Sequence, residues 1–500
     1  MNPESQVFIL STRRGLRAGI DDPARALLAS LPIAGERGRS TRARLEVGDG
    51  IPLEIVDSVH RLGPRLVRLG NRRRDEIRHR VPELRLTPLV EYGPAVTTEY
   101  RPAVVSEHLP LEEATSSDGT WSVTVLGPDG RGVPGARILA TDDEQGWRSR
   151  TTTDSSGTAY LDPPPSLAQI STLVAQPIAG LWGAYRANVS TRVPAALEVA
   201  AVDLATEDAL SYYYGASVFD PDQGIRIGIV DEGVDEHRDL DLEGGCNTVI
   251  EESDSDHASA SRHGHGTHVA GIVAAAADRP DGVRGVAPGA CIRSYRVFPG
   301  DGWVATNYSI IKALIAAQID GCDIVNLSLE ASEDDPALAD AVEDAREHGI
   351  VVVAAAGNGR DQPMRQPGSC PGAIAVAAFG RTGTFPSDSS AANHLSDLRG
   401  SDPTEFMAAF SKNGADVTCV APGVGIVSTL PGNAYGPRSG TSVATAVVTG
   451  VIASLLSRNP EILSRSRDRG RTRAIERLLA TSARPAGFGR LYEGLGRPTC

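Results

Sequence analysis

Val351-Val352-Val353-Ala354-Ala355-Ala356-Gly357-Asn358 decides the fold of the larger part of this 500-residue chain. An unbroken apolar run without polar alternation describes a strand covered on both faces, as in a parallel sheet. The stretch before it, Pro336–His348, reads as a helix with acidic residues at its start. Further upstream the alternation continues. Asp323–Leu329 reads as a strand, Ser309–Gln318 as an amphipathic helix and Ala290–Phe298 as a strand. Gly266–Ala277 reads as a helix of small residues and Ile225–Val230 as a buried strand. Downstream, Thr441–Ser457 is the last strong helix. This βα alternation predicts an α/β fold with a doubly wound, mostly parallel sheet, in which sites collect at the carboxyl ends of strands.

Four residues stand where strands end or helices begin. Asp231 directly follows the Ile225–Val230 strand, and Asn358 ends the Val351–Ala356 strand. His265 lies in the glycine-rich lead His263-Gly264-His265-Gly266-Thr267-His268 into a helix, and Ser442 lies in the first turn of another, within Gly440-Thr441-Ser442-Val443-Ala444-Thr445. Taken singly, three of them have a plain structural reading: a turn Asp, a turn Asn, an N-cap serine. The crowded histidines also raise metal binding, but the spacing is not His-Glu-x-x-His and no acidic base lies between them. Taken together they supply a nucleophile, a base and an orienting carboxylate, in the order Asp, His, Ser. The helix start favours negative charge on nearby oxygen, and the Asn358 amide can donate to a developing oxyanion.

Together these segments resemble the subtilisin-like serine peptidases from about Ala216 to Tyr492. The resemblance is carried by Ile229-Val230-Asp231 with Gly233, by His265-Gly266-Thr267-His268-Val269-Ala270-Gly271 and by Gly285-Val286-Ala287-Pro288. Ala355-Ala356-Gly357-Asn358 and Ala421-Pro422-Gly423-Val424 continue it, leading into Gly440-Thr441-Ser442. It implies acyl transfer, with Ser442 as nucleophile, His265 as base, Asp231 as its orienting partner, Asn358 as oxyanion donor and His268 as a structural neighbour. It also implies that Ser328-Leu329-Glu330, together with Gly357, lines the substrate, pairing with its backbone as an added strand.

Several positions depart from that pattern. Glu232 follows the aspartate where Ser or Thr is usual, so a second carboxylate beside Asp231 is expected to disturb the charge balance unless it points to solvent. Thr445-Ala446-Val447 replaces Ser-Pro-His, a change of helix packing. Glu330 replaces a glycine. It implies a narrower subsite and a taste for basic residues upstream of the cut, unless the side chain points away. The loop Gly359–Gln366 is short for the family, and Gly380–Glu405, rich in Ser and Asp, reads as a mobile surface insertion. No cofactor is required. Calcium often stabilises the family, and Asp239, Asp278 and Asp281 are the carboxylates placed for it.

Residues 1–112 read as a small α+β unit. It has a strand at Val7–Leu10, a helix after Asp21-Asp22-Pro23, a basic cluster from Arg72 to Arg80 that suits a solvated helix face, and an extended segment at Val81–Tyr92. The resemblance makes it prodomain-like, with partner binding as the alternative. A processing cut then falls between about 93 and 117 or near 196–206. Residues 117–196 show short strands with Gly, Pro and Asp turns, which predict a β-sandwich. It resembles the immunoglobulin-like domains related to carboxypeptidase regulatory modules. The peptidase-like unit spans 205–500.

Composition sets the outer limits. Hydrophobic residues make up 41% and the net charge is -14, which suits globular domains and argues against nucleic acid as a partner. Lys312 and Lys412 are the only lysines among 49 basic residues, a bias read as genomic. No apolar run approaches a membrane span, and the N-terminus has no basic start followed by a long apolar core. The chain therefore reads as cytoplasmic, with export by another route left open. The six scattered cysteines have no metal-ligand spacing and read as free, mostly buried thiols. The reading is a serine endopeptidase acting on protein or peptide, with no nucleic-acid or membrane partner. A partner protein is admitted through the N-terminal regions. The alternative is a latent or silent fold of the same kind, used as a binding module.

Overall fold

The computed structural model describes residues 5–12, 23–34, 40–47, 49–95, 112–113, 121–142, 144–250, 252, 264–277, 279–300, 302, 304–331, 333–360 and 362–500. Residues 205–500 build around an eight-stranded sheet. Its strands follow the order Leu242–Asn247, Cys291–Arg296, Arg226–Asp231, Ile324–Leu327, Val351–Ala355 and Ile374–Arg381. The last of these pairs with both Cys419–Pro422 and Glu405–Met407. Every pairing is parallel except that of Glu405–Met407. Arg226–Asp231 is the first strand of the sheet in sequence and sits inside it, so later strands add on both sides. The crevice at such a switch point is where this architecture places its sites.

Val351–Ala355 is wholly buried, as its uninterrupted apolar run requires. The helices His265–Ala274 and Thr441–Ser457, buried along their entire lengths, pack on one face. Asn307–Ile319 and Pro336–Glu347 cover the other. The segment Gly380–Glu405 differs from its expected form. Ser389, Ser390, Ala391, His394 and Ser396 are buried, and the Ser390 N–H donates to Gly183 O at 2.8 Å. Part of the segment thus packs inward, with Ser390 against the residues around 183, while Ser387, Asp388, Asp397 and Ser401 remain exposed.

Residues 5–88 form an antiparallel five-stranded sheet in the order Thr41–Leu45, Ile51–Ser58, Arg65–Gly70, Ser5–Thr12, Leu84–Pro88. Successive residues of a strand point to opposite faces. Phe8, Leu10 and Val67 meet the helices Pro23–Ser30 and Asn71–Arg80 through Ala24, Leu28 and Ile77. Ile9 and Leu66, on the other face, join a core with Tyr308, Ile311 and Leu338. Both faces are covered, so Val7–Leu10 is apolar throughout. Lys312 Nζ donates to Asp57 Oδ2 at 3.3 Å across this contact, and Arg85 pairs with Asp340. Residues 21 and 22, expected to open the first helix, lie outside the described residues.

After Leu89 and Val90 the chain forms the strand Glu91–Pro94. This strand lies between Ala305–Thr306 and Leu329–Ala331, antiparallel to both. Tyr92 is buried, and its hydroxyl donates to Asp335 Oδ2 at 3.0 Å. Asp335 also caps the helix Pro336–Glu347, accepting from the N–H groups of Ala337 at 3.0 Å and Leu338 at 3.2 Å. Residues 121–198 form two further sheets that share one core of Trp121, Val125, Ile138, Leu161, Ile170 and Leu197. The six cysteines are free, and burial pushes the thiols of Cys322, Cys370 and Cys419 up to about 12. Among the described residues no helix is long and apolar enough to cross a membrane.

Asp335 therefore serves the helix and the inserted strand together. In a Ser442→Ala background, Asp335→Ala is expected to cost about 2 kcal/mol, the upper range for a lost cap. Tyr92→Phe, which removes one hydrogen bond, costs about 1 kcal/mol. Thermal unfolding of the three proteins checks the order; a Tyr92→Phe loss as large as that of Asp335→Ala contradicts it.

Candidate active site

The strand Arg226–Asp231 ends with Asp231 pointing into the crevice beside the start of the helix His265–Ala274. Asp231 Oδ1 lies 2.8 Å from His265 Nδ1 and also accepts from the Glu232 N–H at 2.8 Å. His265 Nε2 lies 3.1 Å from Ser442 Oγ, and all three side chains are buried. The imidazole thus bridges a carboxylate and a hydroxyl. This is the arrangement in which a serine can lose its proton while the resulting imidazolium is stabilised.

Glu232 neither faces solvent nor competes for the imidazole. It is buried, and its Oε1 accepts from the backbone N–H of His265. The helix start there has Gly264 as its N-cap, with no side chain to satisfy its first donors. An acidic side chain at a helix N-terminus is favourable on both hydrogen-bond and dipole grounds.

Ser442 is the second residue of the helix Thr441–Ser457, so its N–H is among those with no intrahelical acceptor. Asn358 is fixed beside it. Its Oδ1 accepts from the Thr441 N–H and the Thr441 hydroxyl, each at 2.9 Å. That leaves Asn358 Nδ2, buried and with no hydrogen-bond partner among the described residues, as a donor in the same crevice. Asn326 Nδ2 donates to Ser328 Oγ at 2.8 Å, and Ser328 Oγ donates to Ser442 O at 3.2 Å, which ties the helix start to the neighbouring strand.

The crevice holds a part of the chain itself. The Ala95 N–H donates to Ser328 O at 3.0 Å, and Ala95 O accepts from the Ser442 N–H at 3.3 Å. A peptide carbonyl therefore lies at the helix start beside the serine, continuing the strand Glu91–Pro94. Sequence reasoning named Ser328, Leu329, Glu330 and Gly357 as the lining, and the fold brings them to this strand: Leu329 opposite Pro94, Glu330 opposite Gly93, and Gly357 beneath the Glu330 carboxylate. It missed Thr441, which orients Asn358, and Lys412, whose buried ammonium donates to Glu330 Oε1. One signal for Lys412 was present: it is one of two lysines in the chain.

His268 plays a structural part. Its Nε2 lies 3.1 Å from both Ile426 O and Gly436 O. Burial first, then the nearby Arg438 and His265, hold its pKa well below the usual value, so it is neutral with Nε2–H donating. At Asp239 the residues do not fit calcium. Its carboxylate accepts from the Arg279 guanidinium, from the Tyr435 hydroxyl at 2.7 Å and from the Val283 N–H at 3.3 Å. Asp281 pairs with Arg279 at 3.0 Å and Arg238 at 3.2 Å. The local cations are guanidinium groups, and both Asp239 oxygens are engaged. Asp278 lies outside the described residues, among which no group of three or more His, Cys, Asp or Glu is placed to hold a metal ion.

A carboxylate–imidazole–hydroxyl chain with amide donors at a helix start defines the class of serine hydrolases. Residues 222–496 match the subtilase family, peptidases of the S8 type. The chain is 35% identical to subtilisin BL of Lederbergia lenta over 237 residues, 47% of this chain and 78% of that protein. It is 36% identical to subtilisin DY of Bacillus licheniformis over 252 residues, 49% of this chain and 81% of that one. With subtilisin E of Bacillus subtilis strain 168 it shares 35% over 242 residues, 47% of this chain and 56% of that protein. The chain belongs to the subtilase family and is a serine-type endopeptidase.

The lowered pKa of His268 has a sign. The folded state disfavours the proton, so its contribution to stability is complete above the unfolded value of about 6.5 and is lost as pH falls from there toward the folded pKa. In a Ser442→Ala background, Tm is expected to fall between pH 7 and 5, and His268→Gln to flatten that fall. Parallel Tm–pH curves for the two proteins would contradict this.

Proposed function

We propose that Asp231, His265 and Ser442 carry the peptide hydrolysis, with Asn358 Nδ2 and the Ser442 N–H as the oxyanion donors. The observation that carries this reading is His265 bridging Asp231 at 2.8 Å and Ser442 at 3.1 Å. Ser442 Oγ attacks the carbonyl carbon while its proton passes to His265 Nε2. The two donors hold the oxyanion, and the proton then goes to the leaving amine as the C–N bond breaks. A water molecule next gives its proton to His265 Nε2 and attacks the Ser442 ester, and the imidazolium returns that proton to Ser442 Oγ as the acid departs. Asp231 keeps the tautomer with hydrogen on Nδ1 throughout.

The N-terminal unit is read as a prodomain that presents Glu91–Ala95 to this machinery, with the Ala95–Val96 bond as the first cut. The support is the Ala95 carbonyl on the Ser442 N–H and the pairing of Glu91–Pro94 on both edges. Latency, the alternative function, then becomes a stage of the same protein: the serine is covered until that strand leaves. The two sheets of residues 121–198 are read as a spacer docked on the peptidase, since the Gly180 N–H donates to Tyr435 O at 2.8 Å and Trp182 enters the peptidase core.

Asn358→Ala is expected to lower kcat by roughly 10²–10³ with KM much less affected, the magnitude of losing one oxyanion donor, as for the corresponding asparagine of subtilisin. An unchanged kcat refutes its assignment. Intact mass after incubation should show a cut following Ala95 in the wild type and none in Ser442→Ala. Identical uncut masses would overturn the prodomain reading, while labelling of Ser442 by a fluorophosphonate tests the nucleophile separately.

A further inference from the structure

We propose that Glu330 and Lys412 close off the subsite for the residue preceding the cut, so that this endopeptidase accepts only a small side chain there. The inference rests on the reading of Ser442 as nucleophile and of Ala95 as the residue before the scissile bond.

Register gives the first step. Glu330 stands directly opposite Gly93 in an antiparallel pair, so the two share a face of the sheet. Ala95 is two residues beyond Gly93 and lies on that same face. The Glu330 side chain therefore projects on the side where the Ala95 methyl points; it does not lie over Gly93, where an added Cβ would meet nothing within 4 Å, but reaches on to Gly357. Its carboxylate rests on Gly357. A Cβ built there would lie 2.7–2.8 Å from the carboxylate atoms, and Gly357 has a φ of +102° that favours glycine independently.

Hydrogen bonds hold the carboxylate in that place. Glu330 Oε2 accepts from the Asn358 N–H at 3.3 Å, and Oε1 accepts from Lys412 Nζ. Lys412 is buried and anchored by its own backbone, whose N–H donates to Gly357 O at 3.0 Å; its Cε lies 3.5 Å from the Cβ position of Gly359. The floor beside Ala95 is thus a fixed ion pair instead of an open cleft, and Ala95 itself is buried against its surroundings. A leucine or phenylalanine in place of Ala95 would have to displace the Glu330 carboxylate and leave a buried ammonium without its partner. The same pairing cancels the charge that would have drawn basic residues, so the preference first suggested by Glu330 gives way to one of size.

The test compares Tyr-Gly-Pro-Xaa p-nitroanilides with Xaa as Ala, Ser, Leu, Phe or Arg on the processed wild-type protein. Ala and Ser are expected to exceed Leu, Phe and Arg in kcat/KM by about 100-fold or more. Glu330→Gly/Lys412→Ser, which removes both charges and the bulk, is expected to raise the Phe and Leu values at least 10-fold relative to Ala. Glu330→Gln/Lys412→Met keeps the bulk without charge and should retain the wild-type order. Within the intact chain, Ala95→Phe should abolish the cut after residue 95 and Ala95→Ser should preserve it. Wild type that labels with fluorophosphonate yet hydrolyses the Phe or Leu peptide as fast as the Ala peptide overturns the subsite alone. Wild type that neither labels nor hydrolyses any peptide overturns the catalytic reading and the subsite with it.

Discussion

The strand Glu91–Pro94 satisfies its backbone on both edges, against Ala305–Thr306 on one side and Leu329–Ala331 on the other, with Tyr92 buried between them. Much else follows from that one insertion. It aligns Ala95 O with the Ser442 N–H, covers the serine and seats Tyr92 on the Asp335 cap. It also commits the sheet of residues 5–88 to lie on Asn307–Ile319 and Pro336–Glu347. None of the hydrogen bonds from Asp231 through His265 to Ser442 is made by this strand. The closed state of the crevice depends on it.

The peptidase fold was legible because its signals are local. An uninterrupted apolar strand such as Val351–Ala355 demands cover on both faces, and Asp231 and Asn358 announce themselves by standing where such strands stop. His265 and Ser442 were legible as helix-start residues within short motifs. What stayed hidden depends on partners distant in sequence. Glu232 looked like a rival to Asp231, and only the fold shows that the start of the His265–Ala274 helix lacks a capping side chain which Glu232 supplies. Glu330 was visible as a misplaced charge, but its neutralisation by Lys412 arises from the return of the chain at Phe410–Lys412, far from the substrate strand in sequence. Asp239 looked free for calcium because no sequence spacing reveals that Arg279 folds back upon it.

The Arg bias gives the two lysines added meaning. A guanidinium is planar and spreads its donors in a fork, whereas an ammonium is compact and ends a thin stem. Lys412 threads beneath Gly359 to a carboxylate in a confined space, and Lys312 reaches Asp57 between two packed units. Each place suits a narrow cation, and a chain otherwise committed to arginine retains lysine at both.

Only Leu89 and Val90 separate the cleft strand from Leu84–Pro88, a strand of the docked N-terminal sheet. A ligand held by so short a tether competes at an effective concentration on the order of millimolar or above. Breaking the bond after Ala95 leaves that tether intact, because Glu91–Ala95 stays joined to the sheet on its N-terminal side. Scission and vacancy are therefore separate events with separate clocks. On the prodomain reading proposed above, the dissociation rate of an entire packed sheet, rather than the turnover rate of a serine, would set when an outside peptide first finds the crevice empty.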